Sequence, residues 1–551
     1  MSKSEKWLCF FLALLCLNLL LLNGQVTLWD EDEAAYAGFA YTMLESGNWV
    51  QPEFLWSRIH RKTPLHFWNI ALSYKVFGVS EWTTRLSSTL AVLMTCIVLL
   101  KWGASVFGER VSKWASIVLA TSLIVPLTGK VALTDATLLL FQTSAVLALF
   151  NYLKTPNWKW NLYFWISISL GILTKGPLII ILCGGLWLFL ALFHPNRKTL
   201  VGTHPWIFGF CSLIPTGIWL YTSWQQDNGE LVNFLYDWYV VKRVGGSVLG
   251  QSGLPGYHFV VLLIAFIPWL AFLFSTLAKQ FKYFRKKEDD YLLLSGWLLF
   301  GWLFFELMRS KLPSYALAAH PAIALLIGRE IISFLDSSNN RSSKSILIPW
   351  LFSCLLILAI AIGAPFAIYT FFDNSVLLPY FCFASVMLLM LGIQFFTFFK
   401  KRKEAFVYSL AMTGGLLLFL TISCLAPVVE RSPMKSLNQV AITANEMVLE
   451  KGISNSTISV GLVSLGNKQT KVSLAFYIGQ YFKNYEAIYK EEALERFLSE
   501  KPSLLIVNEE VLLFFKEALR KKGRKMPEVK TVQWWSTDDK LRRHDYFMLM
   551  N

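Results

Sequence analysis

Trp29-Asp30-Glu31-Asp32-Glu33-Ala34-Ala35-Tyr36 sets four acids in a row, and Arg61-Lys62-Thr63-Pro64-Leu65 follows with cations. On either side lie apolar runs long enough to cross a bilayer, beginning with Trp7 to Leu22 before the acids and continuing beyond Thr84. Dense charge between such runs belongs just outside a membrane. The stretch from Trp29 to Gly78 therefore reads as a loop held against the membrane surface, and the rest of the chain has to supply that membrane domain.

Composition agrees. Of 551 residues, 55% are hydrophobic and 16% charged, with a mean hydropathy of +0.48, which excludes an ordinary soluble globular protein. Windows of about twenty apolar residues fall near 7–28, 84–106, 111–128, 131–152, 160–175, 177–194, 204–224, 257–278, 291–308, 312–331, 345–371, 377–399 and 406–427. That is a polytopic all-α membrane domain of about thirteen crossings. The first run is read as an uncleaved span, because acids rather than a small-residue cleavage site follow it.

Charge orients these spans. With the N-terminus in the cytoplasm, every inner turn is basic: Arg110 and Lys113, Lys154 and Lys159, Arg197 and Lys198, Lys279 through Lys287, Arg329 with Arg341 and Lys344, and Lys400 through Lys403. An odd number of crossings then puts the C-terminal region outside. Lys62, Lys175, Lys242, Arg243, Arg309 and Lys311 break the rule on the outer side. One such cation is a snorkelling side chain; six beside acids suggest a shared anion site, and the anion at that depth is a lipid phosphate.

The chain divides into a transmembrane domain over 1–427, with outer loops at 29–83 and 225–256, and a soluble domain over 428–551. In the latter, strands are expected at Ile458 to Leu462, Ser503 to Val507, Lys530 to Trp534 and Tyr546 to Met550. Amphipathic helices near Lys435 to Leu449, Val472 to Phe482, Glu491 to Leu498 and Glu510 to Lys521 alternate with the first of them, which predicts a small α/β domain. It has no GxGxxG or P-loop pattern, so no nucleotide chemistry is assigned to it. All eight cysteines lie in apolar runs, which excludes a disulfide or thiolate metal site in that domain, and the seven histidines show no HExxH spacing.

Asp32 and Glu33 open a helical segment with Ala35, Phe39, Met43 and Leu44 on its apolar side. Pro64 to Gly78 forms a second helix lying in the interface, with His66, Asn69 and Ser73 on its polar side. Helix capping accounts for one or two acids, not four. A carboxylate beside a lipid-phosphate site can accept a proton from an acceptor hydroxyl as that oxygen attacks an anomeric carbon, while cations stabilise the departing phosphate. Asp32 is the first choice for this, Glu33 its helper, and Asp30 and Glu31 are solvated neighbours. Asp135, at the outer start of a span, is a second acid of functional character. Lys175-Gly176-Pro177 and Arg309-Ser310-Lys311-Leu312-Pro313-Ser314-Tyr315 put cations and a phenol at two more span mouths.

Asp32-Glu33-Ala34-Ala35-Tyr36, Met43 to Trp49, Lys62-Thr63-Pro64-Leu65, Phe77-Gly78-Val79, Glu81-Trp82, Arg85-Leu86, Thr134-Asp135-Ala136, Leu173 to Leu178, Pro268-Trp269, Arg309 to Tyr315 and Ser473 to Tyr477 resemble, in order, the bacterial 4-amino-4-deoxy-L-arabinose lipid A transferases of the protein O-mannosyltransferase superfamily. The resemblance implies a multi-pass inner-membrane glycosyltransferase with a periplasmic C-terminal domain. Such an enzyme moves a sugar from a polyprenyl (undecaprenyl) phosphate carrier to lipid A, lipopolysaccharide or another envelope acceptor, with no nucleic-acid partner. It implies Asp32 and Asp135 as the family's acids, Lys62 as the ligand of the carrier phosphate, and Lys175, Arg243, Arg309, Lys311 and Tyr315 around the same phosphate. Where those transferases have Glu-Lys-Pro-Pro this chain has Arg61-Lys62-Thr63-Pro64, and no histidine stands near Val240. No cofactor is required by this chemistry, and those departures leave a divalent metal doubtful. The alternatives are a transferase with a protein acceptor, or a transporter of lipid-linked sugars, which needs polar residues through mid-membrane rather than at the outer ends.

Overall fold

The computed structural model describes residues 12–13, 15–29, 32–54, 62–237, 253–284, 289–337, 341–371, 378–426, 437–464, 471–499, 501–535 and 543–551. Asp30, Glu31, Arg61, Val240, Lys242 and Arg243 lie outside these residues. Helices dominate up to Leu425. Among the described residues, seven are long and apolar enough to cross a membrane: Glu81–Phe107, Thr134–Lys154, Asp289–Leu307, Pro313–Asp336, Ser345–Gly363, Leu378–Phe399 and Lys403–Leu425. Two shorter apolar helices, Leu15–Gly24 and Ile180–Phe193, fall at expected spans. A further helix, Pro205–Asp227, turns Trp206, Phe210, Ile214, Ile218 and Tyr221 outward, the surface of a helix that meets lipid rather than water.

Two expected spans are interrupted. The 111–128 window is a helix to Thr121 and then a separate turn at Ile124–Thr128. The 257–278 window is two helices, Tyr257–Ala265 and Leu270–Phe284, parted at Pro268, whose missing N–H cannot continue a helical ladder. Hydropathy sums apolar residues and is blind to such breaks.

The loop after the first span folds into two helices that pack on each other, Asp32–Ser46 and Leu65–Phe77. Gly38 permits the close approach of Phe54, whose ring lies 2.2 Å from where a Cβ would stand. The second helix reverses part of the expected pattern. It buries His66, Phe67, Ile70, Ala71 and Tyr74 at helical spacing and exposes Leu72, Val76 and Phe77. A helix wedged between a protein core and lipid is apolar on two sides, so amphipathicity alone does not say which face turns inward.

The soluble domain carries a five-stranded sheet in the order β2-β1-β3-β5-β4, with β1 Ser459–Ser464, β2 Tyr485–Tyr489, β3 Ser503–Val507, β4 Val529–Trp535 and β5 Arg543–Met550. β1 runs parallel to β2 and β3, while β5 pairs antiparallel with β3 and β4. The expected α/β alternation holds, with one strand more than expected. β2, Tyr-Glu-Ala-Ile-Tyr, buries only Ala487 and Ile488, and five residues leading straight into a helix give a weak period-two signal.

Leu504 and Ile506 face one layer of helices, Leu505 and Val507 the other, so β3 is buried on both sides, as a central strand must be. The Leu504 face does not close on its own domain. Its core continues through Phe476 and Tyr477 into Ala34, Tyr36, Phe39 and Phe67 of the loop helices. The soluble domain and the first loop thus share one hydrophobic core. The Tyr477 hydroxyl accepts from Leu28 N at 2.7 Å and donates to Glu81 at 3.0 Å, which pins that contact to the start of a span.

Candidate functional site

The two acids that open the first loop helix separate completely. Asp32 is exposed and has no hydrogen-bond or ion-pair partner among the described residues. Glu33, one residue on and about 100° further round the helix, is 1% exposed. Its carboxylate takes a two-pronged grip from Arg85, at 2.8 Å from Nε and 2.9 Å from Nη2, and accepts Trp29 N and Ala132 N at 2.9 and 2.7 Å. Arg85 also donates to the carbonyls of Asn23, Val26 and Thr27. Burial pushes the Glu33 carboxyl up, but the Arg85 charge, its hydrogen bonds and the two backbone N–H groups outweigh that and hold it below the ordinary range. All of Glu33's acceptor capacity is therefore committed to joining three chain segments. Arg85 is a lone arginine near the head of an apolar run, a signal present in the sequence itself.

Next to this strut lies a second pair. Asp135 in the first turn of Thr134–Lys154 accepts from Lys175 in the last turn of Trp158–Lys175 at 2.9 Å, an acid at a helix N-terminus and a cation at a C-terminus, each where the helix dipole favours it. The Ser314 hydroxyl bonds the same carboxylate, and the Lys62 charge acts on it. Lys175 Nζ stands 6.0 Å from the centre of the Tyr315 ring. Gly176, at φ +69°, ends the helix and donates to Thr63 Oγ1 at 3.2 Å, so the residue beside Lys62 fixes the turn beside Lys175. Asp135, Gln142, Lys175, Ser314 and Tyr315 line a cleft with about 20 Å³ of free space, roughly that of one water.

Expectation and structure part over Lys311. Rather than facing the cleft, its buried Nζ donates to the carbonyls of Phe305 and Glu306 at 2.7 and 2.6 Å, with the Glu306 carboxylate 3.7 Å away. It caps a helix end. Glu306, unremarked in the sequence, accepts Gly256 N and Phe259 N and anchors the head of the Tyr257–Ala265 helix. Lys311→Met is accordingly expected to lower the melting temperature of the purified protein while leaving donor KM within about twofold, since both of its charge-assisted hydrogen bonds are lost. A large rise in donor KM at unchanged stability would return Lys311 to the anion site. Arg309 stands exposed, and Arg243 lies outside the described residues.

Between the loop and the cleft sits His66. It is fully buried, edge-on to Tyr36, and burial brings its pKa down to about 4, so it is neutral at physiological pH. Among the described residues no group of three or more His, Cys, Asp or Glu gathers in a metal-binding arrangement. Arg61, which stands where the resemblance puts a glutamate, lies outside the described residues.

An exposed acid, a buried strut behind it and a cation-carboxylate cleft, all at one end of a helical bundle capped by an α/β domain, define a polytopic membrane protein of the ArnT fold. That fold is shared across 99% of this chain and 98% of the crystal structure of ArnT from Cupriavidus metallidurans bound to undecaprenyl phosphate, with a TM-score of 0.78 at 18% identity; the apo state of that protein gives 0.73. Residues 61–221 match the dolichyl-phosphate-mannose-protein mannosyltransferase family, a span that includes Lys62, Asp135 and Lys175 but not Asp32. The chain is similar to the undecaprenyl phosphate-alpha-4-amino-4-deoxy-L-arabinose arabinosyl transferases. It is 28% identical over 349 residues to transferase 1 of Proteus mirabilis, covering 62% of each chain, and 26% identical over 332 residues to the transferase of Yersinia pestis, covering 59% of each. The matches thus span less than two thirds of the length of these curated relatives.

Proposed function

We propose that this chain is a glycosyltransferase that moves a sugar from an undecaprenyl-type phosphate carrier to a lipid A-like or other envelope acceptor. In this reading it crosses the bacterial inner membrane about thirteen times, with its N-terminus in the cytoplasm and residues 428–551 in the periplasm. The relatives' names support the donor class. The observation that carries the reading is the exposed Asp32 next to Glu33, whose carboxylate holds Ala132 N, three residues before the Asp135 that pairs with Lys175 in the cleft.

In the transfer step the acceptor oxygen forms a bond to the anomeric carbon. The bond from that carbon to the carrier phosphate breaks, and its electron pair leaves on the phosphate. Asp32 takes the acceptor proton as general base. Lys62 and Lys175, with the exposed Arg309 and with Arg243, which the resemblance adds to this set, hold the phosphate charge that develops, and the Tyr315 hydroxyl supplies a neutral donor. Asp135 holds Lys175 in place until the phosphate arrives. The cleft has room for about one water, so carrier binding opens it and gives Lys175 a second anion. Glu33 acts on the reaction through position alone, and no cofactor is needed.

Two tests follow. Mass spectrometry of envelope lipids and glycoproteins from a deletion strain is expected to show the loss of one sugar mass, a pentosamine on lipid A if the donor is that of the relatives. An unchanged envelope would refute the transfer. Lys175→Ala is expected to raise donor KM at least tenfold and leave acceptor KM unmoved, read in steady-state kinetics with each lipid varied separately; equal shifts would take Lys175 out of the phosphate site.

A further inference from the structure

A second cavity, of about 220 Å³, opens where the first span meets the turn after Ile124–Thr128. It shares no lining residue with the Asp135–Lys175 cleft. Leu22, Val26, Leu127 and Ile422 give it apolar walls, and Asn23, Gln25, Arg85, Lys130 and Thr421 are its polar lining. Trp29, three residues before Asp32, closes one side.

Lys130 is the unusual member. Its Nζ donates to the Leu19 carbonyl at 3.1 Å and forms no ion pair among the described residues. Arg85, which also borders the cavity, is already neutralised by Glu33. An ammonium withdrawn from water without a counter-charge is costly, and burial together with the Arg85 charge brings the Lys130 pKa down to about 7. A phosphate seated here would reverse that cost. Asn23 adds a second polar group: its amide nitrogen bonds Thr89 at 2.9 Å, and its buried side-chain oxygen meets no donor among the described residues. An anionic group for Lys130, a hydroxyl or amine donor for Asn23 and apolar walls for a chain describe the head of a phosphorylated glycolipid.

We propose that the Lys130 cavity binds the phosphorylated headgroup of the acceptor lipid, so that donor and acceptor occupy separate pockets beside the loop that carries Asp32. This rests on the transferase reading above and adds a site to it. The reason is geometric. A transfer needs two lipids to approach one carboxylate without competing for the same cations, and the Glu33–Ala132 bond ties the turn bearing Lys130 to the residue that follows Asp32.

The test uses the full-length protein in nanodiscs and separates binding from turnover. Binding is measured against phosphatidylcholine vesicles carrying a phosphorylated disaccharide lipid, the same lipid without phosphate, or phosphatidylglycerol. The expected result is at least tenfold weaker binding of the phosphorylated lipid by Lys130→Met, retention by Lys130→Arg, and no effect of either on undecaprenyl phosphate binding. In transfer assays Lys130→Met raises acceptor KM and leaves donor KM alone. Charge-dependent binding in the absence of any transfer would uphold the pocket while removing the transferase reading. Full transfer with unchanged acceptor KM in Lys130→Met would overturn the pocket and leave the transferase reading standing. Equal binding of phosphatidylglycerol and the phosphorylated disaccharide lipid would also overturn it, by making the cavity a site for bulk lipid.

Discussion

Asp32→Asn is expected to insert and fold normally yet lose transfer by roughly 10²- to 10⁴-fold, the contribution of a positioned general base. The substitution removes a charge and no contact, because Asp32 is exposed and has no partner among the described residues. A structural role therefore predicts almost no effect, and a catalytic one predicts nearly complete loss. The readout is turnover under saturating donor and acceptor, with the melting temperature measured on the same preparation. Near-wild-type turnover would take Asp32 out of the mechanism. Loss of turnover together with a large fall in melting temperature would show that folding, not chemistry, had been changed.

Glu33→Gln should do the opposite. It keeps the shape of the side chain but leaves Arg85, 2% exposed, as a buried charge with no counter-ion, and breaking one side of such a pair costs about 3–5 kcal/mol. That is a large part of the stability of a typical domain. The expected result is a sharply lower melting temperature or failure to accumulate in the membrane. Replacing both residues, as Glu33→Leu with Arg85→Met, removes the stranded charge but leaves the carbonyls of Asn23, Val26 and Thr27 without their donor, so recovery is partial. pH should act in the same direction. The folded-state pKa of Glu33 lies below its unfolded value, so its contribution is fully present above about pH 4.3 and is lost as pH falls through the folded value. A Glu33→Gln protein as stable as the parent, with the same acid sensitivity, would refute the strut.

Much of the architecture was legible because membrane crossing is a local property. A run of apolar residues must span or be buried wherever it sits, and the helices found at Glu81–Phe107, Thr134–Lys154, Leu378–Phe399 and Lys403–Leu425 lie where hydropathy puts them. The strands at Ser503–Val507 and Val529–Trp535 were legible for the same reason. β2 escaped because its few residues carry too little periodicity, and the break at Pro268 because hydropathy does not count hydrogen bonds.

The site was only half legible. Charge out of place singled out Asp135 and Lys175, forty residues apart, and the fold brings the two together. Lys311 carries the same signal and is spent on a helix end, while Lys130 stands between two apolar runs with no acid or second cation next to it in sequence.

Trp29 to Gly78 shows where the boundary falls. Composition and order alone placed this stretch at the membrane surface and put four acids in a row within it. They could not rank those acids, because neighbouring residues differ only in which side of the helix they occupy. Tertiary structure set Arg85, Ala132 and the soluble domain's Tyr477 around that helix. It buried Glu33 and left Asp32 in the open, since burial and pairing depend on what is close in space, which sequence distance does not record.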